Sequence, residues 1–147
     1  MLLLDLKSLI AEHCAAIAAR PTEETLLQAI PAALVDIGQE FVRDPLNRRR
    51  LQRFSRTSFG TTQINDAAGR WESAINAQLD GGQRRSADKH RRDRLAVALA
   101  VTICRMATIE WLTDGLSAPP ANYLRKACDA AADVLSSTAA AQRLTGQ

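Results

Sequence analysis

The sequence predicts an all-α fold, on three observations. Apolar residues recur at three- and four-residue steps along almost the whole chain, and no segment alternates apolar and polar residues at every second position. The candidate segments are also bounded by residues that start or stop helices, such as Asp44-Pro45, Gly115 and Pro119-Pro120. With 147 residues, a single domain spanning the chain is expected. A domain of this size buries roughly two-thirds of its unfolded surface, enough for a core without crosslinks.

Leu6, Leu9, Ile10, His13 and Ile17 trace a first helix that must end before Pro21. Thr22 is expected to cap the second, with Glu23 and Glu24 in its first turn, where the helix dipole favours acidic side chains. Its apolar face runs Leu26, Leu27, Ile30, Leu34, Ile37 and Phe41. Pro31 inside that pattern predicts a kink, because the ring removes a hydrogen bond and crowds the carbonyl four residues earlier. Asp44-Pro45 is an N-cap followed by proline at the first helical position, opening a short third helix with Leu51 and Phe54 facing inward. The stretch TSFGTT reads as a break. A fourth helix then carries the stripe Ile64, Ala67, Ala68, Trp71, Ile75, Leu79 and ends at DGGQRRS.

The fifth helix opens near Ser86 and reaches about Asp114, with Gly115 as its stop. Its segment LAVALAVTIC, from Leu95 to Cys104, is apolar all round, which predicts cover on every side. The sixth follows Pro119-Pro120 to about Ser137, leaving TAAAQRLTGQ as a frayed tail.

Composition narrows the function. Lysine and arginine exceed acidic residues by only three, with a pI near 9.1, short of a dedicated nucleic-acid arm. No run is read as reaching the ~18 apolar residues of a membrane span. The apolar start MLLLDLKSLI is interrupted by Asp5 and Lys7 and lacks a small-residue cleavage site, so no signal peptide is assigned and a cytoplasmic location is expected. Cys14, Cys104 and Cys128 are widely spaced, with no Cys-x-x-Cys pair, and are read as small buried hydrophobes with no disulfide and no metal. His13 and His90 are the only histidines, and no nucleophile triad, paired carboxylates or glycine-rich phosphate loop can be assembled. No catalytic residue and no cofactor is therefore assigned. His13 lies on an apolar stripe, as a core or pocket-wall histidine would.

Two arginine clusters stand out. In NRRRLQRFSR, Arg49, Arg53 and Arg56 fall within about 60° of one another on a helical wheel, opposite Leu51 and Phe54, as on a solvated outer face. In RRSADKHRRDR, Asp88 and Asp93 are interleaved and no aromatic platform accompanies the cations, which weakens a nucleic-acid reading. Arg105 either pairs with a carboxylate such as Asp129 or Asp133 or faces a cavity and holds an anionic ligand group. The pairing is preferred, because an unpaired buried arginine is costly.

The order of an apolar helix, EWLTDG, a proline-marked break and YLRKACDAAADVL resembles the carboxy-terminal end of a TetR-family transcriptional regulator. The likeness extends back through RPTEETLLQAIPAALVDIGQEFVRDPLNRRRLQRF, similar to that family's long helix, Asp-Pro turn and short helix, and through GRWESAINAQL, which resembles the helix ahead of the dimerising pair. It implies a six-helix ligand-binding and dimerisation domain. Such regulators carry a helix-turn-helix domain of roughly fifty residues ahead of the helix placed here at Leu2. These 147 residues do not include it, so DNA binding would belong to a segment outside them, unless the protein works without one.

The resemblance implies that the last two helices of each subunit form a four-helix bundle in a homodimer, with Ile103, Trp111, Leu124, Ala127, Ala131, Val134 and Leu135 as candidate interface residues. Alanines on the sixth helix would allow close approach. It also implies an effector pocket between the second, fourth and fifth helices. With few aromatics in the chain, the candidates are Phe41, Phe54, Phe59 and Trp71, supported by Ile37, Ile75, Cys104 and Met106. The expected effector is small and mainly apolar. A likeness to acyl-CoA-responsive members would instead put arginines on ligand phosphates. The competing readings are a stand-alone helical interaction protein and a nucleic-acid binder acting through the arginine clusters.

Overall fold

The computed structural model describes residues 5–82 and 84–146, with all their side chains except those of Ser58, Phe59, Ala139, Ala140, Ala141, Leu144 and Thr145. Among the described residues there are six α-helices and no strand: α1 (Leu6–Ala18), α2 (Leu26–Arg43), α3 (Pro45–Ser55), α4 (Ser58–Asp80), α5 (Ala87–Thr113) and α6 (Pro120–Thr145). Leu2, where the resemblance puts the start of the first helix, lies outside the described residues. The Asp5 carboxylate caps α1, accepting from the backbone N–H of Ser8 at 3.1 Å and from its hydroxyl at 2.6 Å.

α2 starts three residues later than its sequence suggests. Thr25 rather than Thr22 is the N-cap: its hydroxyl accepts from the Gln28 N–H at 3.3 Å, while the Gln28 side chain accepts from the Thr25 N–H at 3.0 Å. This reciprocal pair satisfies two orphan donors at once, which Thr22 cannot match. Glu24 precedes the helix and is held by Arg20, whose guanidinium donates to it at 2.8 and 2.5 Å. The helix runs on through a buried Pro31 to Arg43.

α3 begins as expected, with the Asp44 carboxylate accepting from the Leu46 N–H at 2.8 Å. The break expected at TSFGTT shrinks to Arg56 and Thr57, and α4 resumes at Ser58. The reason is Gly60, which packs on the end of α3. A Cβ there would lie 2.7 Å from the Phe54 carbonyl oxygen, so only glycine lets the first turn of α4 form in that place.

α5 is the central post, packing against α2, α3, α4 and α6, whereas α1 rests only on α2 and α4. Val97, Ala100, Val101, Ile103, Cys104, Ala107, Trp111 and Leu112 are buried on it. By length and composition an 18-residue stretch of α5 could cross a membrane, correcting the expectation that no run was long enough. Cover on every side is not achieved within one chain either. Leu95 is 66 % and Met106 57 % exposed.

The α5–α6 turn closes as a Schellman motif. Leu116 N–H bonds the Trp111 carbonyl at 3.0 Å and Gly115 N–H bonds the Leu112 carbonyl at 3.0 Å, with Gly115 at φ 68°. Leu116 also takes a positive φ of 59°, and its buried side chain accompanies buried Trp111, as the motif's apolar contact requires. Arg48 of α3 donates to the Leu116 carbonyl at 2.9 Å, and Tyr123 of α6 donates to the Asp114 carboxylate at 3.0 Å. The tail expected to fray from Thr138 continues as helix to Thr145, consistent with alanine's high helix propensity.

Three glycines therefore separate in a stability series. Gly60→Ala should lower unfolding free energy by about 1–3 kcal/mol through overpacking. Gly115→Ala should cost about 1–2 kcal/mol for its left-handed backbone. Gly69→Ala, with open space around it in mid-helix, should stabilise by about 0.5–1 kcal/mol. Urea denaturation of the three variants checks the order.

Candidate functional site

All six helices line a partly open cavity of about 140 Å³. α1 contributes Leu6, Leu9, Ile10 and His13, and α2 contributes Leu34, Ile37, Gly38 and Phe41. Leu51 and Phe54 come from α3, and Ile64, Ala67 and Trp71 from α4. The far wall is Ala107, Thr108, Trp111 and Leu112 of α5 with Pro120 and Leu124 of α6. No charged residue is among these. The space exists because small residues face inward between large ones: Ala67 lies four residues before Trp71, and Ala107 four before Trp111.

The few polar atoms on the wall already have partners. Trp71 Nε1–H donates to His13 Nδ1 at 2.8 Å, and His13 Nε2 lies 2.8 Å from the Ile30 carbonyl oxygen. An indole N–H can only donate, so Nδ1 must accept and the proton must sit on Nε2. His13 is thus held neutral in one tautomer, and burial pushes its pKa below the ordinary histidine value, with the Ile30 bond opposing that shift. Trp111 Nε1–H donates to the Ala118 carbonyl at 3.0 Å, and the Thr108 hydroxyl donates to the Cys104 carbonyl at 2.7 Å.

Of the eight pocket candidates, Ile37, Phe41, Phe54 and Trp71 come together on this wall. The Phe59 side chain lies outside the described residues. Ile75 and Cys104 are fully buried core residues that do not line the cavity, and Met106 is on the exposed side of α5. Periodicity accounts for Met106: Ala107, Thr108 and Trp111 share one helical face, and Met106 points off it, whereas Cys104 lies on that face one turn before the wall begins. His13 reads from sequence as a core or pocket-wall histidine and does line the cavity, whereas Trp111, Leu124 and the α1 residues Leu6, Leu9 and Ile10 were missed as wall. The small-residue-then-tryptophan spacing repeated in α4 and α5 was the available signal.

Among the interface candidates, Ile103, Trp111 and Leu124 are buried within the chain and so are unavailable to a partner without repacking. Ala127 and Ala131 are half-buried. Val134 is 65 % and Leu135 54 % exposed.

Several arginines are committed to structure. Arg85 is largely buried between Asp80 and Asp93, donating to Asp93 at 2.6 Å, and Arg94 donates to Asp80 at 3.2 Å. Burial opposes the Asp93 charge, but the Arg85 hydrogen bond and the neighbouring Lys89 and Arg85 charges outweigh it and hold its carboxyl below the ordinary range. This network clasps the α4–α5 connection. Arg105 meets neither Asp129 nor Asp133, nor the cavity; it donates to Asn65 Oδ1 at 2.8 Å. Arg49, Arg53 and Arg56 are exposed. Burial pushes the Cys104 thiol far above its ordinary range, with Cys128 adding to the effect. Among the described residues no group of three or more His, Cys, Asp or Glu is placed to hold a metal ion.

Fold and site together define an all-helical domain built around a small apolar chamber. No protein-family model, no curated protein and no solved structure matches the chain.

The neutral His13 joint makes stability pH-dependent. Its folded pKa is depressed, so its contribution is present above the unfolded histidine value, about 6.5, and is lost as pH falls below that value. Urea midpoints should drop between about pH 7.5 and about pH 5.5 in the wild type, and less steeply in His13→Phe. Parallel slopes would show that another group carries the dependence.

Proposed function

We propose that this chain is the effector-sensing and dimerising domain of a TetR-like transcriptional repressor in the cytoplasm. On this reading a small apolar molecule in the cavity modulates DNA binding by a helix-turn-helix segment lying outside these 147 residues. The observation that carries it is the cavity itself, lined by all six helices and walled almost wholly by carbon. A molecule there touches α1 to α4 on one side and the α5–α6 pair on the other, so it can favour one arrangement of the two over another. It shifts that equilibrium only by its differential affinity for the two states.

Dimerisation through α5 and α6 is supported by their exposed apolar side chains, Leu95, Met106, Val134 and Leu135. The surface offered differs from the one the resemblance implied. Ile103, Trp111 and Leu124 serve the chain's own core, so the contact would use Leu95 and Met106 of α5 with Val134 and Leu135 of α6.

The purified chain should sediment as a dimer at high micromolar concentration. Val134→Glu combined with Leu135→Glu should give a monomer with an unchanged helical circular-dichroism spectrum, since both side chains are exposed in the single chain. A folded wild-type monomer at that concentration would remove the regulator reading.

A further inference from the structure

We infer that the cavity selects a neutral, ring-sized molecule, a one-ring or fused two-ring aromatic or a hydrocarbon of similar bulk, and rejects carboxylates and charged acyl chains. The inference deepens the proposed sensing role and rests on it only in taking the cavity as a ligand site.

Size is the first argument. A dry apolar protein cavity of roughly 150 Å³ holds one benzene, and this one measures about 140 Å³. A long acyl chain exceeds that volume and would have to run out through the open side or spread the walls. The second argument is polarity. The wall's hydrogen-bonding groups are occupied by the protein: both His13 nitrogens, both indole N–H groups and the Thr108 hydroxyl. A carboxylate entering here meets no cation and no free donor, and an unpaired ionised group in an apolar site is strongly disfavoured. Arg105, which the sequence offered as a partner for an anionic ligand group, is turned to Asn65 instead. The third argument is the character of the wall. Phe41, Phe54, Trp71 and Trp111 present aromatic surfaces from four different helices, and edge-to-face contact with a ring adds to simple burial.

The chain has two tryptophans and both line the cavity, so its fluorescence reports occupancy directly. The experiment titrates the full chain with toluene, indole and iodobenzene, and in parallel with benzoate, indole-3-carboxylate and laurate. It reads tryptophan emission, heavy-atom quenching by iodobenzene, and Tm. The neutral rings should saturate and raise Tm, with each carboxylate at least roughly 100-fold weaker than its neutral counterpart. Ala107→Leu, which fills the space, should abolish saturable quenching, and Ala67→Leu repeats the test from α4 if the first variant does not fold. Thr102→Val, whose hydroxyl is likewise spent on its own helix but lies outside the cavity, should bind the neutral rings as the wild type does.

Benzoate or laurate binding as tightly as toluene overturns the neutral-ring inference and leaves ligand sensing standing. Saturable neutral binding by a chain that is monomeric upholds the inference and overturns the regulator reading. If no probe binds the folded chain, the inference falls.

Discussion

α1 is the helix whose attachment everything around the cavity depends on, and one imidazole secures it. α1 touches neither α5 nor α6; it lies on α2 and α4 alone. His13 spends one nitrogen on each of them, accepting from Trp71 of α4 and donating to the Ile30 carbonyl of α2. Both bonds are buried, so breaking either leaves an unsatisfied polar group at a cost of about 1–3 kcal/mol. The Trp71 that completes this joint is also a cavity wall. Secure attachment of α1 and integrity of the chamber are therefore one constraint.

At the other end, the α5–α6 turn is fixed by backbone geometry rather than by a buried side-chain pair. Gly115 and Leu116 both sit at positive φ, which for leucine is unfavourable by about 1–2 kcal/mol. That strain is offset by the Schellman bonds, by burial of Leu116 and by Arg48 reaching across from α3. The turn brings Pro120 and Leu124 back to the cavity. Gly38 of α2 stands where a Cβ would come 3.6 Å from Pro120, so α2 and α6 meet with little between them.

Helix number, helix type and most ends were legible because they rest on local rules: a capping Asp before Pro45, Ser86 before α5, Gly115 after it. The misreadings arose where a local rule met a competitor or a tertiary contact. Thr22 lost to Thr25 because only Thr25 has a glutamine three residues on. TSFGTT looked like a break because nothing local says that Gly60 will lie on the Phe54 carbonyl. The site was half legible for a related reason. Aromatic scarcity picked out Phe41, Phe54 and Trp71, but whether an apolar residue on a stripe fills the core, as Ile75 and Cys104 do, or borders a void, as Trp111 does, depends on the residue opposite. A single helix's pattern does not contain that information.

The cavity and the exposed apolar face share α5, and that fixes how the two can communicate. Ala107, Thr108 and Trp111 border the chamber, while Leu95 and Met106 face outward on the same helix. Met106 and Ala107 are adjacent in sequence, so a molecule that displaces the inner face by a fraction of an ångström moves the outer face with it. No chain of rearranging side chains is needed, because a hydrogen-bonded helix transmits such a shift as a rigid body. The magnitude is set by fit. A ring that matches the chamber stabilises the arrangement already present, whereas one slightly too large favours whatever arrangement gives α5 more room. In the proposed dimer, neutral ligands of graded size should differ in the sign of their effect on subunit association as well as in affinity.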